Sequence, residues 1–325
     1  MKSHDKRFGY IMPSMADLSV KFCGVEFKNP LVLASGILGI TASSWKNVVE
    51  NGAGGITTKS IWLNEHKGHP NPTMIAFEHY MLNAVGLPDG GIEKAREELR
   101  KYLDWGTAPV IASIVAGSVS DFEKIASEIA KVSPQILEIN ISCPNVENEF
   151  GKPFACVPAD AVKVTKSVKA ALKKAGVKIP ITIKLSPNVE NIVSIAKAVV
   201  DAGADALTVM NTLGPGMAIN IETRLPVLAN KCGGISGPAL KPLAVKYIYD
   251  IRKALPKTPI IGTGGVMTGE DAIEMMMAGA TLVGIGSGVY YRGVEIFKKA
   301  AEEMQVWCEK VGVKKISEII NAAHR

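Results

Sequence analysis

No two of the five cysteines, Cys23, Cys143, Cys156, Cys232 and Cys308, stand in a C-x-x-C arrangement. An odd number so widely scattered is not a disulfide framework and points to a reducing, cytoplasmic setting. The same scatter excludes a conventional four-cysteine iron–sulfur motif within the chain. Also missing is any apolar run near the roughly 18–20 residues of a membrane span. Residues 1–15 mix Lys2, Asp5, Lys6 and Arg7 among apolar residues and carry no signal-peptide core. The net charge of +6 is small for 325 residues and spread along them. It suits an anionic ligand but includes no basic tract of the kind that marks a nucleic-acid arm. Aromatic residues are few, at 6%. The expectation is a soluble, cytoplasmic protein with neither a membrane nor a nucleic acid as partner.

What is present is a chain 47% hydrophobic and 21% charged, with 31 glycines and 18 prolines. It is too apolar for disorder and long enough for one large α/β barrel or two ordinary domains. From Pro30 onward one pattern repeats: a short run rich in Val and Ile ends in small or polar residues, and an amphipathic stretch follows. The runs cover 31–36, 55–60, 109–114, 136–142, 180–186, 206–212, 259–265 and 281–287. Near-continuous apolarity is the mark of parallel strands covered on both faces.

Between the runs the period is helical. In 158–174, Ala161, Val164, Val168 and Leu172 share one face and Lys163, Lys166, Lys169 and Lys173 lie away from it. Gly52, Gly176, Gly203 and Gly279 follow such stretches as helix C-caps. Eight strand–helix units predict a (β/α)8 TIM barrel in a single domain spanning 1–325, with 1–16 as an N-terminal extension. A doubly wound sheet is the alternative, and the count of eight argues against it. Residues 17–28 alternate around Cys23-Gly24 and predict a hairpin under the barrel bottom. Excursions rich in Gly and Pro follow strand two (61–92) and strand six (213–239), and a further loop (145–157) follows strand four. They leave from strand C-terminal ends, where barrel enzymes build their sites.

The strand ends are polar: Ser35-Gly36, Lys59-Ser60, Asn140 with Ser142-Cys143, Lys184, Asn211-Thr212, Gly264-Gly265 and Gly286-Ser287. Lys59 or Lys184 alone passes for an ordinary lysine reaching water. Together at one barrel mouth these residues describe a polar, cationic pocket, because a barrel interior needs only aliphatics and a buried amide or ammonium is costly without a partner. Glycine loops after strands seven and eight are the recurrent barrel phosphate site; tight turn geometry is the plainer account of them. Cys143 sits in Asn140-Ile141-Ser142-Cys143-Pro144-Asn145, where the proline ends the strand and turns the thiol to the mouth. It reads as a proton-abstracting group or as a small buried hydrophobe.

These residues also carry a resemblance. The run 140–145, with Asn83-Ala84-Val85-Gly86-Leu87, Thr58-Lys59-Ser60, Ile183-Lys184-Leu185-Ser186-Pro187-Asn188-Val189 and Asn211-Thr212, resembles class 1 dihydroorotate dehydrogenases, most closely the catalytic subunit of the two-component, NAD-linked type. Ala34-Ser35-Gly36, the stretch from Ile221 through Ser236 into Gly237-Pro238-Ala239, and 267–272 extend the likeness over about residues 17 to 290.

The resemblance implies FMN at the C-terminal face of the strands. Ala34, Ser35 and Gly36 would line it, Thr58 and Lys59 would lie near its ring, and Asn140, Lys184, Met210 and Gly237 would complete its surroundings. Gly264, Gly265, Gly286 and Ser287 would hold its phosphate. Dihydroorotate would be held by Lys59, Asn83, Asn140, Asn145, Asn211 and Thr212, with the backbone of Val85, Gly86 and Leu87. Cys143 would remove the C5 proton while C6 passes hydride to flavin N5, Lys184 would stabilise the reduced flavin, and orotate would leave for pyrimidine (UMP) synthesis. Cys156, on the loop after Cys143, is a second candidate for the base. The implied assembly is a homodimer within a heterotetramer whose other subunit carries FAD and a [2Fe–2S] cluster; fumarate or another acceptor is the alternative to NAD+.

Three segments depart from the family pattern. They are Leu87-Pro88-Asp89-Gly90-Gly91 in place of an asparagine–proline–glycine ending, Gly214-Pro215-Gly216, and Gly286-Ser287-Gly288 in place of glycine–threonine–alanine. Rival readings are a dihydropyrimidine dehydrogenase-like subunit acting on uracil or thymine, a tRNA dihydrouridine synthase, and a barrel without catalysis.

Overall fold

The computed structural model describes residues 15–106, 108–142 and 154–324. The chain opens with a hairpin, β1 (Val20–Phe22) and β2 (Val25–Phe27), turning through Cys23 at φ 50° and Gly24 at φ 85°. Both turn residues are left-handed, the geometry a two-residue hairpin turn needs. Phe22 and Phe27 are fully buried. A Cβ on Gly55 would come within 2.6 Å of the Phe27 ring, so this glycine at the foot of the second barrel strand makes room for the hairpin to plug the barrel bottom, as expected.

Eight parallel strands then close on themselves: β3 (Leu31–Leu33), β4 (Gly55–Thr57), β7 (Val110–Ile114), β8 (Ile136–Asn140), β9 (Ile181–Lys184), β10 (Ala206–Val209), β15 (Ile260–Thr263) and β16 (Leu282–Ile285). β3 pairs with β4 on one side and β16 on the other, so the sheet has no edge and a doubly wound arrangement is excluded. Each strand falls within its apolar run but stops up to three residues before the run's C-terminal end. Those last residues are the polar ones, and they leave the ladder to face the barrel mouth.

The helices follow the same logic. The one at Pro158–Lys174 begins with a proline at its first turn and buries Ala161, Val164, Val168 and Leu172. Gly52, Gly176, Gly203 and Gly279 all have positive φ beyond their helices. Among the described residues no helix is long and apolar enough to cross a membrane.

The excursions after strands two and six do not stand apart. β5 (Met74–Ala76) and β6 (Met81–Asn83) from the first join β11 (Leu213–Gly216) and β14 (Gly233–Ser236) from the second in one four-stranded sheet, ordered β11-β14-β6-β5. Met81 pairs with Ser236, Leu82 with Ile235 and Asn83 with Gly234. Leu82, Ala84 and Leu228 form a small core under this sheet. The remaining pair, β12 (Ile219–Asn220) and β13 (Leu225–Pro226), makes a short arm. The Tyr291 hydroxyl, just past strand eight, lies 2.6 Å from the Phe77 carbonyl and 3.0 Å from that of Tyr80, tying the sheet to the barrel. Residues 1–14 of the N-terminal extension and 143–153 of the strand-four excursion, which includes Cys143 and Asn145, lie outside the described residues. Past that segment, Ala155 donates its N–H to the Ile141 carbonyl at 2.9 Å.

Candidate active site

A pocket opens at the C-terminal ends of the barrel strands, and most of the residues singled out in the sequence meet there. The strand ends bring Ala34, Ser35 and Gly36, Lys59 and Ser60, Asn140, Lys184, and Met210 with Asn211 and Thr212. Gly264, Gly265, Gly286 and Ser287 close one end. The excursions supply a rim of Asn83, Val85, Gly86, Leu87 and Ser236. Thr58 points elsewhere: its hydroxyl accepts the Ser113 N–H at 2.9 Å, and it lines the neighbouring cavity. Gly237, at φ 93°, turns the chain into Pro238–Leu240 behind the pocket wall. Cys156 does not line the pocket; its thiol donates to the Asn188 carbonyl at 3.9 Å.

The floor is a connected set of buried hydrogen bonds. Asn140 donates from Nδ2 to Ser60 Oγ at 3.0 Å, and its Oδ1 accepts from Ser142 Oγ at 3.0 Å and Ser142 N at 3.3 Å. Asn211 donates from Nδ2 to Ser142 Oγ at 2.8 Å, and its own Oδ1 takes the Thr212 N–H at 2.8 Å. Asn140, whose carbonyl accepts twice from Ser142, keeps one N–H for the pocket, whereas Asn211 Nδ2 also lies 3.3 Å from the Ser142 carbonyl and so spends both of its N–H groups on Ser142. Lys184, with a side chain 8% exposed, sits 4.0 Å from Glu138 Oε1. The floor therefore offers the second N–H of Asn140 and the Lys184 ammonium, which stands beside the Glu138 carboxylate, to an anion or a carbonyl.

Sequence reasoning passed over Glu138, Ser113 and Thr208, which lie within apolar strands beneath the pocket. The signal was there for Glu138. A carboxylate in Ile136-Leu137-Glu138-Ile139-Asn140, a run covered on both faces, is rarely buried without partners.

Glycine serves the closed end in two ways. At Gly264 (φ 137°) and Gly265 (φ 77°) the backbone is left-handed, and a Cβ would strike Ala244 at 2.9 Å or the Lys241 backbone at 2.7 Å. There the absence of a side chain lets the loop pack down. At Gly36 a Cβ would meet nothing within 4 Å, and at Gly286 nothing nearer than the Ala34 Cβ at 3.6 Å. The space before these two is open and belongs to the pocket. Among the described residues, neither Gly265 nor Gly286 gives its N–H to a protein acceptor.

Comparison with known proteins adds the decisive observation: the family model for dihydroorotate dehydrogenase matches residues 17–307. The chain belongs to the dihydroorotate dehydrogenase family. It is 45% identical over 310 residues to a protein of Methanocaldococcus jannaschii, covering 94% of this chain and 98% of that one. It is 43% identical over 302 residues to one of Methanosarcina acetivorans (93% and 94% covered) and 39% identical over 307 residues to one of Methanothermobacter thermautotrophicus (94% and 98% covered). All three carry the name dihydroorotate dehydrogenase B (NAD(+)), catalytic subunit.

In this dihydroorotate dehydrogenase-family barrel the departure at Asp89 has a structural role. Its carboxylate accepts the N–H groups of Trp62 at 3.0 Å and Gly91 at 2.9 Å, and its backbone exchanges two hydrogen bonds with His66. Burial raises its pKa, against those N–H groups and the charge of Lys59. Lys59, half-buried at the end of strand two, is shifted the other way: burial lowers its pKa, and the negative charge of Asp89 opposes that. Lys59 therefore gives up its proton more readily than an ordinary lysine.

Proposed function

We propose that this family member oxidises (S)-dihydroorotate to orotate in pyrimidine (UMP) biosynthesis, with FMN as its cofactor. The observation that carries the reading is the floor where Lys59, Lys184 and the second amide N–H of Asn140 converge on one pocket. Orotate is a planar anion with two carbonyls, and uracil lacks its carboxylate; a cationic floor favours the former.

The pocket suits a flavin nucleotide. The open space at Gly36 and Gly286 admits a flat group against bare backbone, and the N–H groups of Gly265 and Gly286 point to a phosphate at the glycine end, with Gly264 and Ser287 beside them. Ala34, Ser35, Gly36, Asn140, Lys184 and Met210 would flank the ring. When bound, the flavin supplies the acceptor for the C6 hydride.

The protein's own residues do the rest. Lys59 pairs with the substrate carboxylate, and Asn83, Asn140, Asn145, Asn211 and Thr212, with the backbone of Val85, Gly86 and Leu87, fix the ring's orientation. Cys143 directly follows Ser142, which is fully buried in the floor network, and takes the C5 proton as general base. Lys184 places positive charge where negative charge develops. Reoxidation passes to a partner. The relatives' names mark them as catalytic subunits linked to NAD(+), and the scattered cysteines of this chain form no conventional cluster motif. We assign that role to a subunit carrying FAD and a [2Fe–2S] cluster, in a heterotetramer built on a dimer of this chain in the cytoplasm.

The test is to purify the chain alone and with a candidate flavin–iron–sulfur partner. Dihydroorotate should bleach the bound flavin in the chain alone, and NAD+ should be reduced only with the partner. Bleaching by dihydrouracil instead would refute the substrate assignment, and turnover with fumarate or quinone alone would refute the acceptor. In stopped-flow mixing at neutral pH, Cys143→Ala should slow flavin reduction at least a hundredfold; a near wild-type rate would remove Cys143 as the base.

A further inference from the structure

Glu138 lies inside the barrel below the pocket, 2% exposed, on β8 two residues before Asn140. In the ladders it stands level with Ser113 of β7 and Thr182 of β9, while Asn140 stands level with Lys184. An aliphatic side chain would fill this layer, and a carboxylate there is costly unless it is paired and fully hydrogen-bonded. It is both. Oε1 accepts from Ser113 Oγ at 2.9 Å, Oε2 accepts from Thr208 Oγ1 at 2.9 Å, and the Lys184 ammonium stands 4.0 Å from Oε1.

An ionised carboxylate only accepts, and each hydroxyl has one proton to give. That fixes the sense of every bond above it. Ser113 spends its proton on Glu138, so across their 3.0 Å contact Ser60 donates to Ser113. Ser60 is then an acceptor toward the pocket and takes the Nδ2 proton of Asn140. This leaves the Asn140 Oδ1 for the Ser142 hydroxyl, and Ser142 Oγ in turn accepts from Asn211. One buried charge thus orients the hydrogen bonds from strand three as far as Asn140, where the Ser142 N–H adds its own hold on Oδ1; Asn211 is fixed separately by the Thr212 N–H and the Ser142 carbonyl.

We infer that Glu138 is a positioning residue for the reaction proposed above, on which the inference rests. It is the counter-charge that holds Lys184 at the pocket floor. It is also the anchor that sets Ser60 to accept from Asn140, which thereby presents its second N–H, and not its carbonyl, to an anionic ligand.

The test uses the FMN-loaded chain and two binding equilibria read from the flavin spectrum: sulfite, which needs only the flavin, and orotate. Glu138→Gln keeps the shape, removes the charge, and sets an amide NH2 against one of the two hydroxyls that donate to the carboxylate. It should bind sulfite about tenfold tighter, because a negative charge near the developing flavin charge is gone, and orotate at least tenfold more weakly, because the donor order is lost. Ser113→Ala cuts the chain without touching the charge, so orotate should weaken while sulfite affinity stays within twofold. The inference is overturned if Glu138→Gln leaves both dissociation constants within twofold of wild type. Should that variant fail to hold FMN, unchanged orotate binding in Ser113→Ala overturns it. Wild-type protein that binds sulfite but not orotate would instead sink the functional reading, and the sulfite comparison would still judge Glu138.

Discussion

Asn140 and Asn83 both face the pocket, yet they are held there by different kinds of structure. Asn140 ends a five-residue strand buried along its whole length, and its side chain is locked from below by Ser60 and from the side by Ser142. Asn83 ends a three-residue strand of the excursion sheet, is half-buried, and reaches across to the Gly234 carbonyl at 3.3 Å. The floor belongs to the barrel and shares its cooperativity; the rim belongs to a small sheet with a core of its own. Changes to the floor should therefore cost stability and function together, whereas changes to the rim should cost binding alone.

The largest effect should come from Lys184→Ala. It leaves Glu138 as an uncompensated buried charge, so chemical denaturation should show a loss of about 3–5 kcal/mol, with flavin reduction by dihydroorotate nearly abolished. Replacing the pair together, Lys184→Met with Glu138→Gln, should restore most of the stability and none of the activity. If the single variant is as stable as wild type, the floor is not the coupled unit described.

Next comes the rim. Asn83→Ala should raise KM for dihydroorotate about tenfold, near the 1.4 kcal/mol of one hydrogen bond to an anion. The melting temperature and FMN content should stay unchanged. A fall in either would erase the distinction between floor and rim.

The smallest effect tests where they touch, at Lys59 and Asp89. Burial lowers the Lys59 pKa and Asp89 opposes the shift, so the ammonium we propose as the substrate's partner is lost on the alkaline side, below the pH at which an ordinary lysine titrates. Asp89→Asn removes the opposing charge, and the alkaline rise in KM should begin at lower pH with little change near neutrality. A limb that stays in place, or moves upward, would detach Asp89 from Lys59.

The same division decides how much was legible beforehand. The barrel strands announced themselves as eight runs rich in Val and Ile, since burial on both faces leaves a local mark on every residue. The floor lysines and asparagines were legible for a related reason: polar residues at the ends of apolar runs stand out. The pairing of β6 with β14 left no such mark, because segments 151 residues apart at Asn83 and Gly234 meet through backbone groups that any sequence carries. Glu138, between Leu137 and Ile139, stood out as a carboxylate in an apolar run, but only the closed barrel shows which hydroxyls surround it.

The pairing of Asn83 with Gly234 also bears on how the protein is made. On the ribosome, the first excursion is synthesised with only its own hairpin of β5 and β6 to pair, and β14 follows only after six barrel strands have emerged. The glycine loops at 264–265 and 286–287 come later still. Contacts of such long sequence separation form late and slowly. The pocket is therefore finished only when nearly all of the chain has left the ribosome, and the young protein acquires its binding site as one of its last acts of folding.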